Sequence, residues 1–356
     1  MQGVKTCQRC GVPEYIASEH LWHPSGFIVQ RRDPRHIIIF IESENLEALF
    51  RGIEKILGMS IERIVVNTRR RAARAYMDRV IPEALKEQVR GSALEIGPVV
   101  QGMVGIGQVL GYGRFEVADY RMRGDDGDYI LIRVEKPYSI LLGCADPVAA
   151  LEALVGREMG LSYREVSPEV YEIKAFPQSH PEEFKGRLTM RKYAYPEGDI
   201  HFRPCPQCGA PEELAGFAWD LDRGLIHNRR TGKRMVFFAP SVMEAVFGEL
   251  ERELGETIPE VVIEAQRRLT AAGLYGLDRE NAQQDLREQL AIRGLGNLKE
   301  LSLGERGLSL FMENAAVPLM VVGMAQGLYE SLHGGTSRVE WSTGEGDSLS
   351  VEVKPA

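Results

Sequence analysis

A chain of 356 residues with 44% hydrophobic and 26% charged residues holds enough apolar material for a packed core and is long enough for two domains, which excludes a disordered protein. Its formal charge of −8 and pI near 5.6 weigh against a dedicated nucleic-acid binder, which needs a basic face. No run approaches the roughly 18 apolar residues of a membrane-spanning helix, and the first residues lack a signal-peptide core, so a cytoplasmic protein without a membrane span is expected.

The first organised stretch is Cys7-Gln8-Arg9-Cys10-Gly11-Val12-Pro13, and its pattern returns 198 residues later as Cys205-Pro206-Gln207-Cys208-Gly209-Ala210-Pro211. A Cys-x-x-Cys-Gly turn aims two thiolates at one point, the glycine supplying the positive φ of the turn. A structural zinc takes four ligands, so the simplest closed site joins Cys7, Cys10, Cys205 and Cys208. Zinc is preferred and iron is the alternative; a shell of four thiolates leaves no open position, which favours a structural role over a catalytic one. Spacing leaves open whether the thiolates meet within one chain or across a homodimer. The fifth cysteine, Cys144, lies in an apolar run and reads as a small core residue.

Hairpins follow the knuckles in register. Gly26–Phe40 reads as two β-rich runs about a turn at Asp33-Pro34, and Gly224–Phe238 as the same with Thr231-Gly232 at the turn. Next comes a helix with Leu46, Leu49, Phe50, Ile53 and Leu57 on one face, capped by Ser43 and ended by Gly58. Its copy carries Val246, Phe247, Leu250 and Leu254 before Gly255, with capping-box spacing at Ser241 and Glu244. Ile61–Arg71 and Ile258–Arg268 continue both copies and end in paired arginines; with Arg74 these arginines read as a solvated face. A looser glycine-rich region follows, then strands at Tyr129–Val134 and Leu308–Met312. Helical patterns at Ser139–Val155 and Val317–His333 come next, and the closing strands are Val170–Phe176 and Ser348–Val353. Gly186–Pro204 reads as a linker. The expected fold is α/β (α+β) in two tandem homologous domains, 1–197 and 198–356, each an antiparallel sheet packed with helices behind its knuckle and hairpin.

The second half, with Gly294-Leu295-Gly296, the strand ending Met312-Glu313-Asn314, the small-residue helix Gly323–Tyr329, the Gly334-Gly335 break and the Glu340…Gly346-Asp347…Val353 ending, resembles the 4-vinyl reductase type of small-molecule-binding domain, the predicted hydrocarbon-binding family. The resemblance covers roughly the last 70 residues well and the first half weakly. It implies helices on an antiparallel sheet with an apolar pocket between them, and no particular reaction. Relatives carry metal-binding cysteines in that ending, whereas serines or other residues stand here, so this metal site is not expected.

Other signals carry less. Arg31 and Arg32 at one hairpin tip, and Arg229 and Arg230 at the other, are the candidates for phosphate or nucleic-acid contact; a solvated turn protecting a sheet edge is the simpler reading. The glycines from Gly102 to Gly113 lack the third glycine of a dinucleotide fingerprint and read as turns and close packing. Asp125, Asp126 and Asp128 read as a hairpin turn. No histidine recurs between the copies, and His20 and His23 beside the knuckle read as ordinary side chains. No catalytic constellation is present. Met312, Met320, Met324, Leu328 and Tyr329 are the candidate ligand-pocket wall, because methionine adapts to irregular ligands. The function expected is non-catalytic binding or sensing of a small apolar or aromatic molecule by a zinc-stapled pseudo-dimer, its signal passing to a downstream regulatory protein. The alternatives are an accessory enzyme of tetrapyrrole or aromatic-compound metabolism and an interaction scaffold.

Overall fold

Central strands in this chain alternate buried and exposed residues, which is what drives them into a sheet with one face covered. In Tyr129–Glu135 the side chains of Ile130, Ile132 and Val134 are buried while Arg133 points to solvent. The computed structural model describes residues 4–184, 186–276 and 281–356. It divides into two compact units, one built mainly of Ile61–Met190 and Ala218–Val236, the other of Lys5–Ser60, Arg191–Phe217 and Phe237–Ala356. The repeats of the sequence and the compact units are therefore different divisions of the chain.

In the first unit the sheet runs in the spatial order Arg114–Arg121, Tyr129–Glu135, Val170–Pro177, Met159–Ser167, all antiparallel. Helices Glu62–Val80 and Ala145–Val155 pack on each other, and Val66, Val100, Phe115, Ile132, Val148 and Leu151 belong to the shared core. The second unit repeats this plan. Its sheet runs Asn297–Gly304, Gly307–Glu313, Leu349–Pro355, Ser337–Thr343, and helix Pro318–His333 lies along Ile258–Ala271. Strands His20–Trp22, Ile28–Gln30 and Asp33–Glu42 complete it, with Phe40 stacked on Phe237 at 4.3 Å between ring centres. The fold is α+β, antiparallel sheets packed with helices, as the sequence suggests.

One close approach recurs in both units. In the first, the Gly113 N–H donates to the Gly224 carbonyl at 2.9 Å; in the second, the Gly296 N–H donates to the Gly26 carbonyl at 3.3 Å. Each unit thus joins the hairpin glycine of one repeat to the glycine-rich segment of the other. A Cβ on Gly224 would stand 2.3 Å from the Gly113 oxygen, and one on Gly26 2.4 Å from the Gly296 carbonyl carbon, both from a positive φ. Gly224→Ala is expected to lower stability by about 2 kcal/mol, read as a drop in the urea midpoint at unchanged slope.

Local expectations are corrected in several places. The first hairpin turns at Arg31-Arg32, with Gln30 opposite Asp33, because pairing Ile28 with Ile38 sets the register and leaves Asp33-Pro34 inside the strand. Ser43 is the first residue of helix Ser43–Leu57 and caps nothing; the preceding Glu42 sends its carboxylate to Arg293, 2.6 Å away. Gly58 does end that helix, at φ 69°. Helix Pro240–Leu254 starts on its proline, and Glu244 bonds Arg191 and Tyr193 instead of closing a capping box. The glycine-rich stretch to Val109 is a regular helix, Ile96–Val109, since close neighbours such as Tyr120 against Gly97 reward the missing side chains. Asp128 does organise the turn before Tyr129, accepting the Arg123 and Gly124 N–H groups at 2.6 and 2.8 Å.

Candidate metal centre

Each knuckle is closed by two backbone bonds. The Cys7 N–H donates to the Val12 carbonyl and the Gly11 N–H to the Cys7 carbonyl, both at 2.8 Å; the Cys205 N–H donates to Ala210 at 2.7 Å and the Gly209 N–H to Cys205 at 2.8 Å. Gly11 and Gly209 both have φ 76°. An isolated bridge at Thr6 with Pro13, and at Pro204 with Pro211, closes the base of each loop. Two copies of one local sequence have folded into one local geometry.

All four cysteines fall in the second unit, and their sulfur atoms lie within 4.8 Å of one another. Cys7 Sγ is 3.8 Å from Cys205 Sγ, and Cys10 Sγ is 3.5 Å from Cys208 Sγ. These separations are too long for disulfides, and the cysteines are free. They match a tetrahedron about one ion, since Zn–S bonds of about 2.3 Å place the sulfurs about 3.8 Å apart. The cluster can hold a metal ion.

The electrostatics repeat with the geometry. For Cys7, burial pushes the thiol up, but backbone N–H groups of Cys10 and Arg9 outweigh it and the net shift is downward. The N–H groups of Gln207 and Cys208 hold Cys205 down to about 7. Burial drives Cys10 and Cys208 upward. The first cysteine of each knuckle is thus the readier thiolate, and a cation between them would ionise the other two.

The neighbouring histidines stay outside the cluster. His20 is buried, its Nδ1 3.2 Å from the Ile16 carbonyl and its ring 5.2 Å from Phe237; His23 accepts the Ser25 N–H on Nδ1 at 3.1 Å. Burial pushes His20 down to about 4 from 6.5. The unfolded chain therefore binds a proton below about pH 6.5 that the folded chain refuses until about pH 4. Stability is fully present above that range and is lost as pH falls through it, by about 2–3 kcal/mol. His20→Gln should flatten this limb of the stability–pH curve, measured by denaturation from pH 7 to pH 4.

The other sequence candidates occupy separate places. Met312 is buried on strand Gly307–Glu313, and Met320, Met324, Leu328 and Tyr329 are buried on helix Pro318–His333, Tyr329 donating its hydroxyl to the Glu305 carbonyl at 2.9 Å. That helix approaches Ile258–Ala271 closely, a Cβ on Gly323 meeting the Ile263 oxygen at 2.6 Å. A cavity of about 210 Å³ in the same unit is lined by other residues, among them Arg191, Glu244, Phe247 and Val317. Arg31 and Arg32 are exposed at one hairpin tip, Arg32 bonded to Glu19 at 2.5 Å, and Arg229 and Arg230 are exposed at the other.

Of the arginine runs, Arg69 and Arg70 are buried rather than solvated, Arg71, Arg74 and Arg267 are half-buried, and Arg268 is exposed. Arg70 bonds Glu152 at 2.7 Å and Arg69 meets Asp146 at 2.6 Å, both buried; Arg267 pairs with Glu330. Glu152 also accepts the Met159 N–H at 2.8 Å, and Glu330 the Ser337 N–H at 2.9 Å, so this ion pair is duplicated with the fold. The signal for it was a glutamate four residues before the closing glycine in both helices, Glu152 before Gly156 and Glu330 before Gly334.

No protein-family model matches the sequence, and no curated protein matches it. Solved structures it is similar to include a Cs H-NOX mutant with 4-cyano-L-phenylalanine at site 5, at 14% identity and TM-score 0.25 over 38% of this chain and 80% of that one. A point mutant of T. Tengcongensis H-NOX is similar at 12% identity and TM-score 0.23, over 33% and 74%.

Proposed function

We propose that this protein is a metal-stapled tandem α/β protein of the 4-vinyl reductase type that binds a small apolar or aromatic molecule without transforming it. The observation that carries the reading is the convergence of Cys7, Cys10, Cys205 and Cys208, from knuckles 198 residues apart, on one tetrahedral volume. Zinc suits it: four thiolates close the coordination shell, and a closed shell staples segments rather than activating a substrate. Both ends of the staple lie in one chain, so no second copy is needed to complete it. The small-molecule part of the reading is supported by the sequence resemblance and by helices packed on antiparallel sheets, the layering that the resemblance implies.

Native mass spectrometry of the purified chain, set against its denatured mass, tests both parts. One zinc per chain together with an organic adduct supports the reading and identifies the ligand class. A metal-free chain removes the staple, and a zinc-loaded chain that binds no apolar probe but retains a protein on pull-down moves the function to an interaction scaffold.

A further inference from the structure

The cavity of about 210 Å³ in the second unit opens where the segment after Met190 meets helix Pro240–Leu254 and the starts of helices Ile258–Ala271 and Pro318–His333. One wall is a fixed polar network. Arg191 donates to Glu244 at 2.7 Å and to Asp347 at 2.5 Å, lies over the Tyr193 ring at 5.3 Å, and Tyr193 donates its hydroxyl to the second Glu244 oxygen at 2.6 Å. Phe247, Ile258 and Pro318 supply apolar lining to the same cavity.

Backbone strain marks the same place. Val317 enters helix Pro318–His333 at φ 48° and ψ 59°, a left-handed conformation that is an outlier for a β-branched residue. The fold itself does not require it. At the same distance before the closing glycine of the first repeat's helix stands Ser139, extended at φ −160° and ψ 133°. By contrast, the positive φ of Asn314 recurs at Lys136 and that of Asp347 at Glu169, so those belong to the repeated fold. Strain kept in only one copy, on a residue lining a cavity, points to the cavity as its reason.

We infer that this cavity is the ligand site of the second unit and that it takes a small organic cation, a protonated amine on a body the size of one aromatic ring. The inference rests on the small-molecule reading above and gives it a site and a charge. A dry cavity of about 150 Å³ holds benzene, so the volume here admits one ring with a short arm. The charge follows from the wall: the carboxylates of Glu244 and Glu251 line it, Asp347 stands behind them, and the single guanidinium of Arg191 is already engaged by two of these. An ammonium is attracted to the surplus carboxylate; a carboxylate ligand would have to displace a protein acid from Arg191.

Benzylamine, benzyl alcohol and benzoate, titrated calorimetrically into the full-length metal-loaded protein, form the test. Benzylamine is expected to bind more tightly than the alcohol, and benzoate weakest. Gly248, at the rim, has no atom within 4 Å of where a Cβ would stand, so Gly248→Leu covers the mouth on an intact fold and should weaken benzylamine at least about tenfold. Glu251→Gln should weaken the amine about threefold while sparing the alcohol. Thermal melts verify that the variants fold. Benzoate binding as tightly as benzylamine overturns the charge assignment. Benzylamine binding unaffected by Gly248→Leu overturns the site while sparing the small-molecule reading, and failure of all three probes, with no organic adduct in the native mass, removes both.

Discussion

Cys205→Ser is expected to abolish metal binding and to lower the melting temperature by about 10 °C. Each knuckle is closed by its own backbone bonds, so the loss falls on what the metal adds, the link between segments around residues 7 and 205. A tightly held structural ion contributes about 4 kcal/mol at a free concentration a thousandfold above its dissociation constant, and 1 kcal/mol moves the midpoint of a domain this size by about 2–4 °C. Metal analysis of the purified variant and melts with and without a chelator check this. The chelator should shift the wild type to the variant's midpoint and leave the variant unmoved, because both perturbations remove one and the same interaction. A variant that melts with the wild type while lacking metal would show that the cluster staples nothing.

Glu152→Gln should cost about 3–5 kcal/mol, a loss of comparable size from a different cause. The Arg70 side chain is 4% exposed and that of Glu152 fully buried, so removing the carboxylate charge strands a guanidinium in the core. The same oxygen accepts the Met159 N–H at 2.8 Å and lies 2.7 Å from His180 Nε2. Burial alone would push Glu152 up, but His180, Arg70 and the Met159 N–H outweigh it and hold it below its ordinary 4.5. The folded-state value is depressed, so the stabilisation is present above about pH 4.5 and is lost as pH falls through the folded value. E152Q should unfold at lower denaturant at pH 7 and lose less stability on acidification than the wild type, both read from denaturant midpoints between pH 7 and pH 3. The matching Glu330→Gln in the second unit should cost less, because its partner Arg267 is 20% exposed and also bonded to Glu264.

What the amino-acid order determined by itself is what depends on neighbours close in the chain. The knuckle turns follow from Cys-x-x-Cys-Gly, helix Ser43–Leu57 from its apolar stripe and Gly58, and strands Tyr129–Glu135, Val170–Pro177, Gly307–Glu313 and Leu349–Pro355 from their alternation. Those four strands are the inner pair of each sheet. The strands that sequence reading passed over, Arg114–Arg121, Met159–Ser167, Asn297–Gly304 and Ser337–Thr343, are the edges. Ser337–Thr343 shows almost no buried side chain, so no hydrophobic period is there to read. The metal site was legible because duplication supplied the missing half of a four-ligand shell.

Tertiary structure alone decided where charge could be buried and which repeat's hairpin serves which unit. Consecutive arginines on a helix look like a solvated face until an acid on another helix is brought within 3 Å, as Glu152 is for Arg70. Glu244 had capping-box spacing, yet Arg191 and Tyr193 claim it from a segment some fifty residues away in the chain. The pairing of Gly113 with Gly224 and of Gly26 with Gly296 joins one repeat's hairpin to the other repeat's body. Local propensity is silent on such choices, because a chain segment meets identical short-range forces whichever copy of a duplicated partner it packs against, and only the assembled core distinguishes them.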